Sequence, residues 1–334
     1  MTRVNHDASY QLKQAKAFIE EHHRFLVVAH IQPDGDAISS TCAIAYLLEH
    51  LGKSYVLMNE SPLPPKFAFL YGSERIQQFN EQEVHGEKFD AIITLDCADA
   101  KRLGKVERMF SEQVPLLNID HHPTNDFFGS CQLIDPQAAA TVEVLYDLLS
   151  QFELAWDERI ATCIYTGLLT DTGGFRYANT TSKVMQIAAE MLQTGVKGHE
   201  LAERLLERTT HAHVQVLKRA LATLQFAAND QVCWMSVKEQ DFTETGATND
   251  DLEGLISYPR NIEGVKIAVL FKELGPQEVK VSLRSSGEKN VAKIAQHFGG
   301  GGHVLAAGVT MSYNLEQSIS LIIDQVVRSC HNDK

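Results

Sequence analysis

The sequence predicts an α/β protein in which an N-terminal, doubly wound domain with a mostly parallel sheet is joined by a helical linker to a smaller α+β domain with a mixed sheet. Three observations support this prediction. The chain has 334 residues, and chains of this length usually form two domains, each with its own hydrophobic core. Its first half alternates short apolar runs with helical patterns, as βαβ units do. From about Gln231 the apolar runs follow one another without a helix after each run.

Four apolar or β-branched runs in the first half predict buried strands: RFLVVAH, SYVLMN, FDAIITLD and VPLLNID. The run DAISSTCAIAYLLEHLG has the apolar spacing of a helix and ends at Gly52, a residue type that commonly terminates helices. Later segments continue the helical pattern: TVEVLYDLLSQF, DERIATCIYTGLLTD and SKVMQIAAEMLQTG. Strands that alternate with helices in this way build a doubly wound sheet.

A long segment without proline, KGHELAERLLERTTHAHVQVLKRALATLQFA, predicts a helical connector between the domains. The runs QVCWMSV, VKIAVLFKEL and EVKVSLRSS then predict strands, and NLEQSISLIIDQVVRSC predicts an amphipathic closing helix. The predicted ranges are 1–195 for the first domain, 196–225 for the linker and 226–334 for the second domain.

The composition narrows the classes of function. No run is long and uncharged enough to span a bilayer, and the N-terminal residues lack an apolar signal core, so we expect a cytoplasmic protein with no membrane partner. Six cysteines without a Cys-x-x-Cys pair disfavour a disulfide framework and a thiolate zinc site. A formal net charge of −13 disfavours a long basic groove for nucleic acid, but it does not exclude small anionic substrates.

Side chains with nitrogen or oxygen donors follow several of the predicted strands. His30 follows the first strand, Asp96 ends the third and Asp120 ends the fourth. Ligands of open parallel sheets bind beyond the carboxyl ends of the strands, so these side chains are expected to share one edge. Further donors at or near the same edge are Asp34, Asp36, His121, His122 and Asp171.

For any single acid in this set, capping of a helix or a solvated loop position is the ordinary explanation, and Asp36 could cap the helix that begins near Ala37. So many acids and histidines at strand ends are harder to explain by capping alone. Carboxylates and imidazoles without cysteine suit Mn²⁺, Mg²⁺, Fe²⁺ or Zn²⁺, and an excess of carboxylates favours the harder ions. Two ions about 3.5–4 Å apart could share such a site and support attack on phosphorus.

Five short motifs resemble those of a known family. HIQPDGDA, LDCADAKRLG, IDHH and LLTDTGGF resemble, in this order, the four motifs of the DHH phosphoesterase superfamily. FGGGGHVLAAG resembles the signature of the DHH-associated substrate-binding domain. Within the superfamily, the chain is similar to the stand-alone nanoRNase type. That similarity implies hydrolysis of very short oligoribonucleotides to mononucleotides and of 3′-phosphoadenosine 5′-phosphate (pAp) to AMP.

The resemblance also implies roles for the residues of the first domain. His30 and Asp34 would bind one divalent cation, Asp36, His121 and Asp171 would bind another, and Asp96 would bridge the two. The cofactors would be two divalent cations, with Mn²⁺ favoured over Mg²⁺. His122 would face the scissile phosphate and Asp120 would orient a ligand imidazole. Arg102 is a third candidate for catalysis, although a solvated helix arginine is its ordinary interpretation.

In the second domain, the resemblance implies a substrate-binding role for Arg284, Ser285, Gly300, Gly301, Gly302 and His303. Physically, consecutive glycines let the backbone approach a phosphate closely, and the His303 side chain adds a donor beside them. The guanidinium of Arg284 fits the geometry of a phosphate. The alternatives are a flexible loop for the glycine run and a structural salt bridge for Arg284.

The main interpretation is therefore a metal-dependent phosphoesterase whose attacking group is a metal-bridged hydroxide. Its substrates would be short RNA oligonucleotides and pAp, and the lack of a basic track agrees with a short substrate. One alternative is a soluble phosphodiesterase for cyclic di-AMP or its linear product, and another is a non-catalytic nucleotide sensor. An inorganic pyrophosphatase shares the aspartate and histidine motifs but fits the GGGGH run poorly. A homodimer is left open.

Overall fold

The computed structural model describes residues 8–81, 88–111, 113–252, 254–287 and 289–331. The chain divides into two units, residues 1–208 and residues 209–334. The division at residues 208 and 209 falls within the predicted linker, 196–225, and the predicted domain and linker ranges stay predictions. Their outer ends, at residues 1 and 334, lie outside the described residues.

The first unit is built on a sheet whose strands all run parallel, in the order β3-β2-β1-β4-β5-β6. Its strands are β1 (Arg24–Ala29), β2 (Ser54–Asn59), β3 (Ile76–Gln78), β4 (Ala91–Leu95), β5 (Leu116–Asp120) and β6 (Cys131–Ile134). The four predicted strands are β1, β2, β4 and β5, and the short strands β3 and β6 add the two edges. The order reverses between β1 and β4, which is where doubly wound sheets bind their ligands.

Helices cover this sheet. They are α1 (Ala8–Glu21), α2 (Gly35–His50), α3 (Thr141–Leu149), α4 (Glu158–Asp171) and α5 (Ser182–Gln193). Pro65–Phe67 and Ser73–Arg75 are short 3-10 segments, and Ala100–Met109 is a longer 3-10 segment with a kink at Gly104. Alternate residues of β1 enter opposite cores: Phe25 and Val27 pack with the α2 side, whereas Leu26 and Val28 pack with the side of the last 3-10 segment. Burial on both faces explains why the strands read as continuous apolar runs.

The predicted helical connector is not continuous. The short helix α6 (Gly198–Ala202) passes into a π-helical turn, Glu203–Glu207, and the backbone then becomes extended at Arg208. Helix α7 (His211–Ala222) begins afresh after Thr210, whose hydroxyl accepts the N–H of His213. The predicted connector is therefore helical in separate pieces, because Thr210 caps a new helix at this point.

The second unit contains a mixed sheet in the order β11-β12-β10-β9-β8-β7, in which β8 and β9 are parallel and the other neighbours are antiparallel. Its strands are β7 (Gln225–Ala227), β8 (Val232–Val237), β9 (Ile267–Gly275), β10 (Glu278–Ser285), β11 (Gly301–His303) and β12 (Ala306–Met311). Besides α7, its helices are α8 (Glu239–Thr245), α9 (Ser257–Arg260), α10 (Val291–His297) and α11 (Leu315–His331), with a 3-10 turn at Asp250–Leu252.

Together the two sheets confirm the predicted fold class, a parallel α/β unit followed by a smaller unit with a mixed sheet. None of the helices that the structure describes has the length and apolar character that a membrane crossing requires.

Candidate functional site

The predicted metal ligands of the first unit gather beyond the carboxyl ends of β1, β4 and β5. His30 directly follows β1, Asp96 directly follows β4, and His121 directly follows β5. Strands β1 and β4 are the neighbours at which the strand order reverses. The position is therefore the one at which an open parallel sheet leaves a crevice for a ligand.

One group of potential ligands comprises His30, Asp34 and Asp96, whose donor atoms lie within 4.8 Å of one another. Nε2 of His30 lies 3.7 Å from Oδ2 of Asp34 and 3.3 Å from Oδ2 of Asp96. The other ring nitrogen, Nδ1, lies 2.8 Å from the carbonyl of Ile31, which fixes the orientation of the ring. Nε2 is buried without a hydrogen-bond partner, as expected of a nitrogen that coordinates a cation.

A second group comprises Asp36, His121 and Asp171, whose donor atoms also lie within 4.8 Å of one another. Asp36 comes from the first turn of α2, and Asp171 is the last residue of α4. Nε2 of His121 lies 3.4 Å from Oδ2 of Asp171. Three elements that are distant in sequence therefore bring two carboxylates and an imidazole together.

Asp96 lies between the two groups. Its Oδ2 faces His30, and its Oδ1 lies 3.6 Å from Nε2 of His121. The residue has a left-handed backbone, with a φ of 58°, which turns the chain sharply at the end of β4. One carboxylate thus presents a separate oxygen to each group, which is the arrangement that a bridging ligand needs.

The charges at this site fit divalent cations. Burial, and then the charges of Asp96 and other nearby acids, raise the pKa values of Asp36 and Asp171 well above the ordinary range. Burial alone would lower the pKa of His30, but the nearby carboxylates of Asp34 and Asp96 outweigh this effect and raise that pKa to about 10. Both shifts reveal surplus negative charge, which bound cations would neutralise. Oxygen and imidazole donors without thiolates suit a divalent cation.

Two of the acids also accept N–H groups at helix starts, but Asp36 does not cap α2, the helix in which it lies. Oδ1 of Asp34 accepts the N–H groups of Asp36 and Ala37, so Asp34 rather than Asp36 caps α2. Asp36 instead accepts the first N–H groups of α3, from Thr141 at 2.5 Å and from Val142 at 3.0 Å. Capping and metal binding are compatible, because each carboxylate oxygen has two lone pairs.

Asp120 is buried and lies 2.7 Å from Nδ1 of His122 through Oδ1, while its Oδ2 accepts a bond from Asn125. The imidazole that Asp120 orients is therefore that of His122, and not that of the predicted ligand His121, whose Nδ1 lies 3.3 Å from the Ala138 carbonyl. Burial would lower the pKa of His122, but the bond to Asp120 outweighs it and raises that pKa.

Arg102 lies beside this pair, with Nη1 3.3 Å from Nε2 of His122. It belongs to the 3-10 segment Ala100–Met109, and its backbone carbonyl accepts the N–H of Ile31. Arg102 therefore contacts a predicted catalytic residue directly, which a solvated helix arginine would not do.

Two residues that support these side chains were missed in the sequence. Asn125 donates to Asp120, and the hydroxyl of Thr141 donates to Oδ1 of Asp96 at 3.0 Å. Thr141 opens the run TVEVLYDLLSQF, and a hydroxyl at the start of a helical pattern is ordinarily interpreted as a cap. Its true partner is 45 positions away in the sequence, so no local signal could have identified it.

In the second unit, His303 and Arg284 lie on one face of the sheet. Ala306 of β12 pairs with Arg284 of β10 on one side and with His303 of β11 on the other. Directly opposed residues share a face, so the two side chains flank an alanine across two strand spacings of about 5 Å each. His303 is exposed and Arg284 is half-buried.

The environment of Arg284 favours an anion. Burial, and then the charge of Arg260, lower the pKa of its guanidinium, and a negative ligand would offset both effects. Within the described part of the chain, its side chain donates to the Leu283 carbonyl, and no carboxylate lies within salt-bridge distance.

Two observations concern the other predicted substrate-binding residues of the second unit. The adjacent Ser285 faces the opposite side, is 5% exposed and donates its hydroxyl to the Lys289 carbonyl, so its side chain supports a turn instead of facing a ligand. The glycine run is not a free loop, because Gly301–His303 forms the edge strand β11. A Cβ on Gly302 would lie 2.5 Å from the Ala306 carbonyl oxygen, so the close approach of β11 to β12 requires glycine.

Comparison with known proteins identifies the family. The model of the DHH family, N-terminal domain, matches residues 24–168, and that of the DHHA1 domain matches residues 229–329. The bifunctional oligoribonuclease and PAP phosphatase NrnA of Thermus thermophilus is 35% identical over 90% of this chain and 88% of its own length. The protein of the same name from Bacillus subtilis is 27% identical over 88% of this chain and 91% of its own length.

Among solved structures, an exopolyphosphatase-related protein from Bacteroides fragilis has the same fold. It superposes with a TM-score of 0.89 at 23% identity and covers 97% of this chain and 98% of its own. These matches confirm the resemblance that the motifs indicated: the chain belongs to the DHH family and carries a DHHA1 domain after the DHH domain.

Proposed function

We propose that this protein is a metal-dependent phosphoesterase that hydrolyses very short oligoribonucleotides to mononucleotides and pAp to AMP. The observation that carries the proposal is the position of Asp96 between two groups of ligands, with one oxygen facing His30 and the other facing His121. The names of the Thermus and Bacillus relatives supply the substrate class.

In this proposal His30 and Asp34 would hold one divalent cation, Asp36, His121 and Asp171 would hold a second, and Asp96 would contribute to both sites. Mn²⁺ is the favoured ion, with Mg²⁺ as the alternative. When bound, such ions polarise the phosphate and lower the pKa of the attacking water. The reaction then needs no protein nucleophile.

The remaining residues of the first unit position the phosphate. The Asp120 carboxylate holds the His122 ring through Nδ1, which leaves Nε2 to contact the phosphate of the substrate. Arg102 lies beside that same nitrogen and would offer a second donor to the phosphate. Raising the pKa of His122 favours the protonated ring, which is the form that donates to an anion.

The second unit would bind the part of the substrate that does not react. Arg284 would pair with a phosphate, and His303 with the backbone of Gly300, Gly301 and Gly302 would contact the same ligand. Arg284 and His303 lie on either side of Ala306, and this arrangement of two donors around a small side chain suits a mononucleotide or a short oligonucleotide. Ser285 stays a predicted member of this set, although its hydroxyl is bonded within the unit.

A substrate panel tests the proposal. Purified protein with Mn²⁺ is offered a dinucleotide, a trinucleotide, a 20-nucleotide RNA, pAp and cyclic di-AMP in parallel, and the products are separated by chromatography. We expect mononucleotides from the short RNAs, AMP from pAp, and loss of both activities in chelator or in Asp171→Asn.

The alternatives give other results. Faster turnover of cyclic di-AMP or its linear product than of either proposed substrate would identify a cyclic-dinucleotide phosphodiesterase. Tight binding without turnover of any substrate would identify a sensor. The cytoplasmic location and the homodimer stay predictions, and light scattering of the same preparation measures the oligomeric state.

A further inference from the structure

Thr141 contacts two predicted metal ligands at once. Its backbone N–H donates to Oδ2 of Asp36, and its hydroxyl donates to Oδ1 of Asp96. Thr141 is the first residue of α3, so its N–H has no partner within that helix. One residue at a helix start thus joins a carboxylate from α2 to a carboxylate from the end of β4.

Water cannot replace these contacts easily. Thr141 and Asp36 are 0% exposed and Asp96 is 2% exposed. The space beside Asp36 is also filled closely: a Cβ on Gly167 of α4 would lie 2.9 Å from its Oδ1. In such a site each carboxylate oxygen keeps its direction only through the donors that reach it.

The hydroxyl of Thr141 donates to the Asp96 oxygen that faces the second group of ligands. Oδ1 is the atom that faces His121, whereas Oδ2 faces His30. Free rotation of the carboxylate would exchange or tilt these oxygens. A donor fixed to the start of α3 opposes that rotation.

We propose that Thr141 is a positioning residue that sets the orientation of the Asp96 carboxylate for metal binding, while its backbone N–H holds Asp36. The inference rests on the proposed function, because it assumes that these acids bind divalent cations. It assigns the effect to the hydroxyl alone, since any residue other than proline would supply the backbone N–H.

Two matched pairs of variants isolate the hydroxyl. Thr141→Val keeps the β-branched shape and the helix start but removes the donor. Thr141→Ser and Thr141→Ala both lack the methyl group and differ from each other only in the hydroxyl. Thr162→Val is the control, because Thr162 is on α4 in the same unit and bonds its hydroxyl to the Glu158 carbonyl of its own helix.

The readout is Mn²⁺ affinity and stoichiometry, measured by calorimetry on protein stripped with chelator, without any substrate. Loss of an outer hydrogen bond to a metal ligand costs about 10–100-fold in affinity. We expect that loss in Thr141→Val and in Thr141→Ala, and affinity within about threefold of wild type in Thr141→Ser and Thr162→Val. Phosphatase activity should recover in Thr141→Val as Mn²⁺ is raised.

Equal Mn²⁺ affinity in Thr141→Ser and Thr141→Ala would overturn the inference, even if Thr141→Val failed to fold. Wild-type affinity in Thr141→Val would overturn it as well. A wild-type protein that binds no Mn²⁺ would instead overturn the proposed metal site, and this inference with it. The first two results leave the proposed function standing, so the failures are distinguishable.

Discussion

Replacing Asp96 with Asn should separate the function of the proposed bridging carboxylate from its effect on stability. Asn has the same shape, but it offers one acceptor oxygen and one NH₂ donor. It cannot present an oxygen to the His30 group and to the His121 group together. We therefore expect Asp96→Asn to lose the linked binding of two cations while the fold is kept.

The size of the effect on stability follows from linkage. A ligand at 100 times its Kd stabilises the folded state by about 2.7 kcal/mol. For a unit of about 200 residues, each kcal/mol raises Tm by about 2–4 °C, so saturating Mn²⁺ should raise the Tm of wild type by about 5–11 °C. The shift in Asp96→Asn should fall below about 2 °C.

Without metal the difference in Tm should be small. The charge of Asp96 is one cause of the raised pKa values of Asp36 and Asp171, so it repels both carboxylates. Removing that charge relieves the repulsion. Because Asp96 also attracts the protonated ring of His30, we expect Asp96→Asn in chelator to unfold near the Tm of wild type.

The assay is thermal unfolding in chelator and in Mn²⁺, with turnover of pAp measured on the same preparations. Turnover should fall at least about 100-fold, because metal ions contribute several kcal/mol to stabilising the transition state. Asp126→Asn is the matched control, since Asp126 is an exposed acid of the same unit. A wild-type Mn²⁺ shift with more than about a tenth of wild-type turnover in Asp96→Asn would refute the bridging role.

Three further predictions concern the substrate and the imidazole pair. Arg284→Ala and His303→Ala should each lower kcat/KM by about ten- to a hundredfold with unchanged metal content. The control Arg219→Ala removes a surface salt bridge of the same unit and should leave kcat/KM unchanged. Loss of metal in Arg284→Ala or His303→Ala would contradict a substrate role. Cleavage should slow steeply with RNA length, and equal rates for a trimer and a 20-nucleotide RNA would contradict the short-substrate proposal. Asp120→Asn should destabilise the metal-free protein by about 1.5–3 kcal/mol at pH 6, measured by denaturant unfolding. Because the folded pKa of His122 is raised, its pairing with Asp120 stabilises the fold below the ordinary pKa of histidine and stops doing so as pH rises through the raised pKa. The destabilisation by Asp120→Asn should therefore be smaller at pH 9, and equal destabilisation at both pH values would contradict the pairing.

The fold class, the family and the set of candidate ligands all follow from the amino-acid sequence alone. Buried parallel strands must be apolar along their whole length, so runs such as RFLVVAH mark them without further information. Polar residues directly after such runs must lie at the carboxyl ends of the strands. The pattern of apolar runs is therefore sufficient to place His30, Asp96 and Asp120 at one edge of the sheet.

The short edge strands and the break in the connector do not follow from the sequence pattern. Strands β3 and β6 have three and four residues, too few to show a period. The helical pattern continues through residues 208–210 without glycine or proline, so only the capping bond of Thr210 reveals where one helix ends and the next begins.

The partner of each side chain is set by the tertiary structure. From the sequence, Asp34 and Asp36 are equally good candidates for capping α2. Asp36 instead accepts an N–H of α3, because the first turn of α3 lies beside it in the folded structure. The bond from Thr141 to Asp96 joins residues that no local pattern relates. Arg284 and Ser285 are neighbours in sequence, but they lie on opposite faces of β10: Arg284 shares a face with His303, and Ser285 is buried inside the unit. A strand alternates its side chains with a period of two, and only the pairing register of the folded sheet tells which residue faces which side.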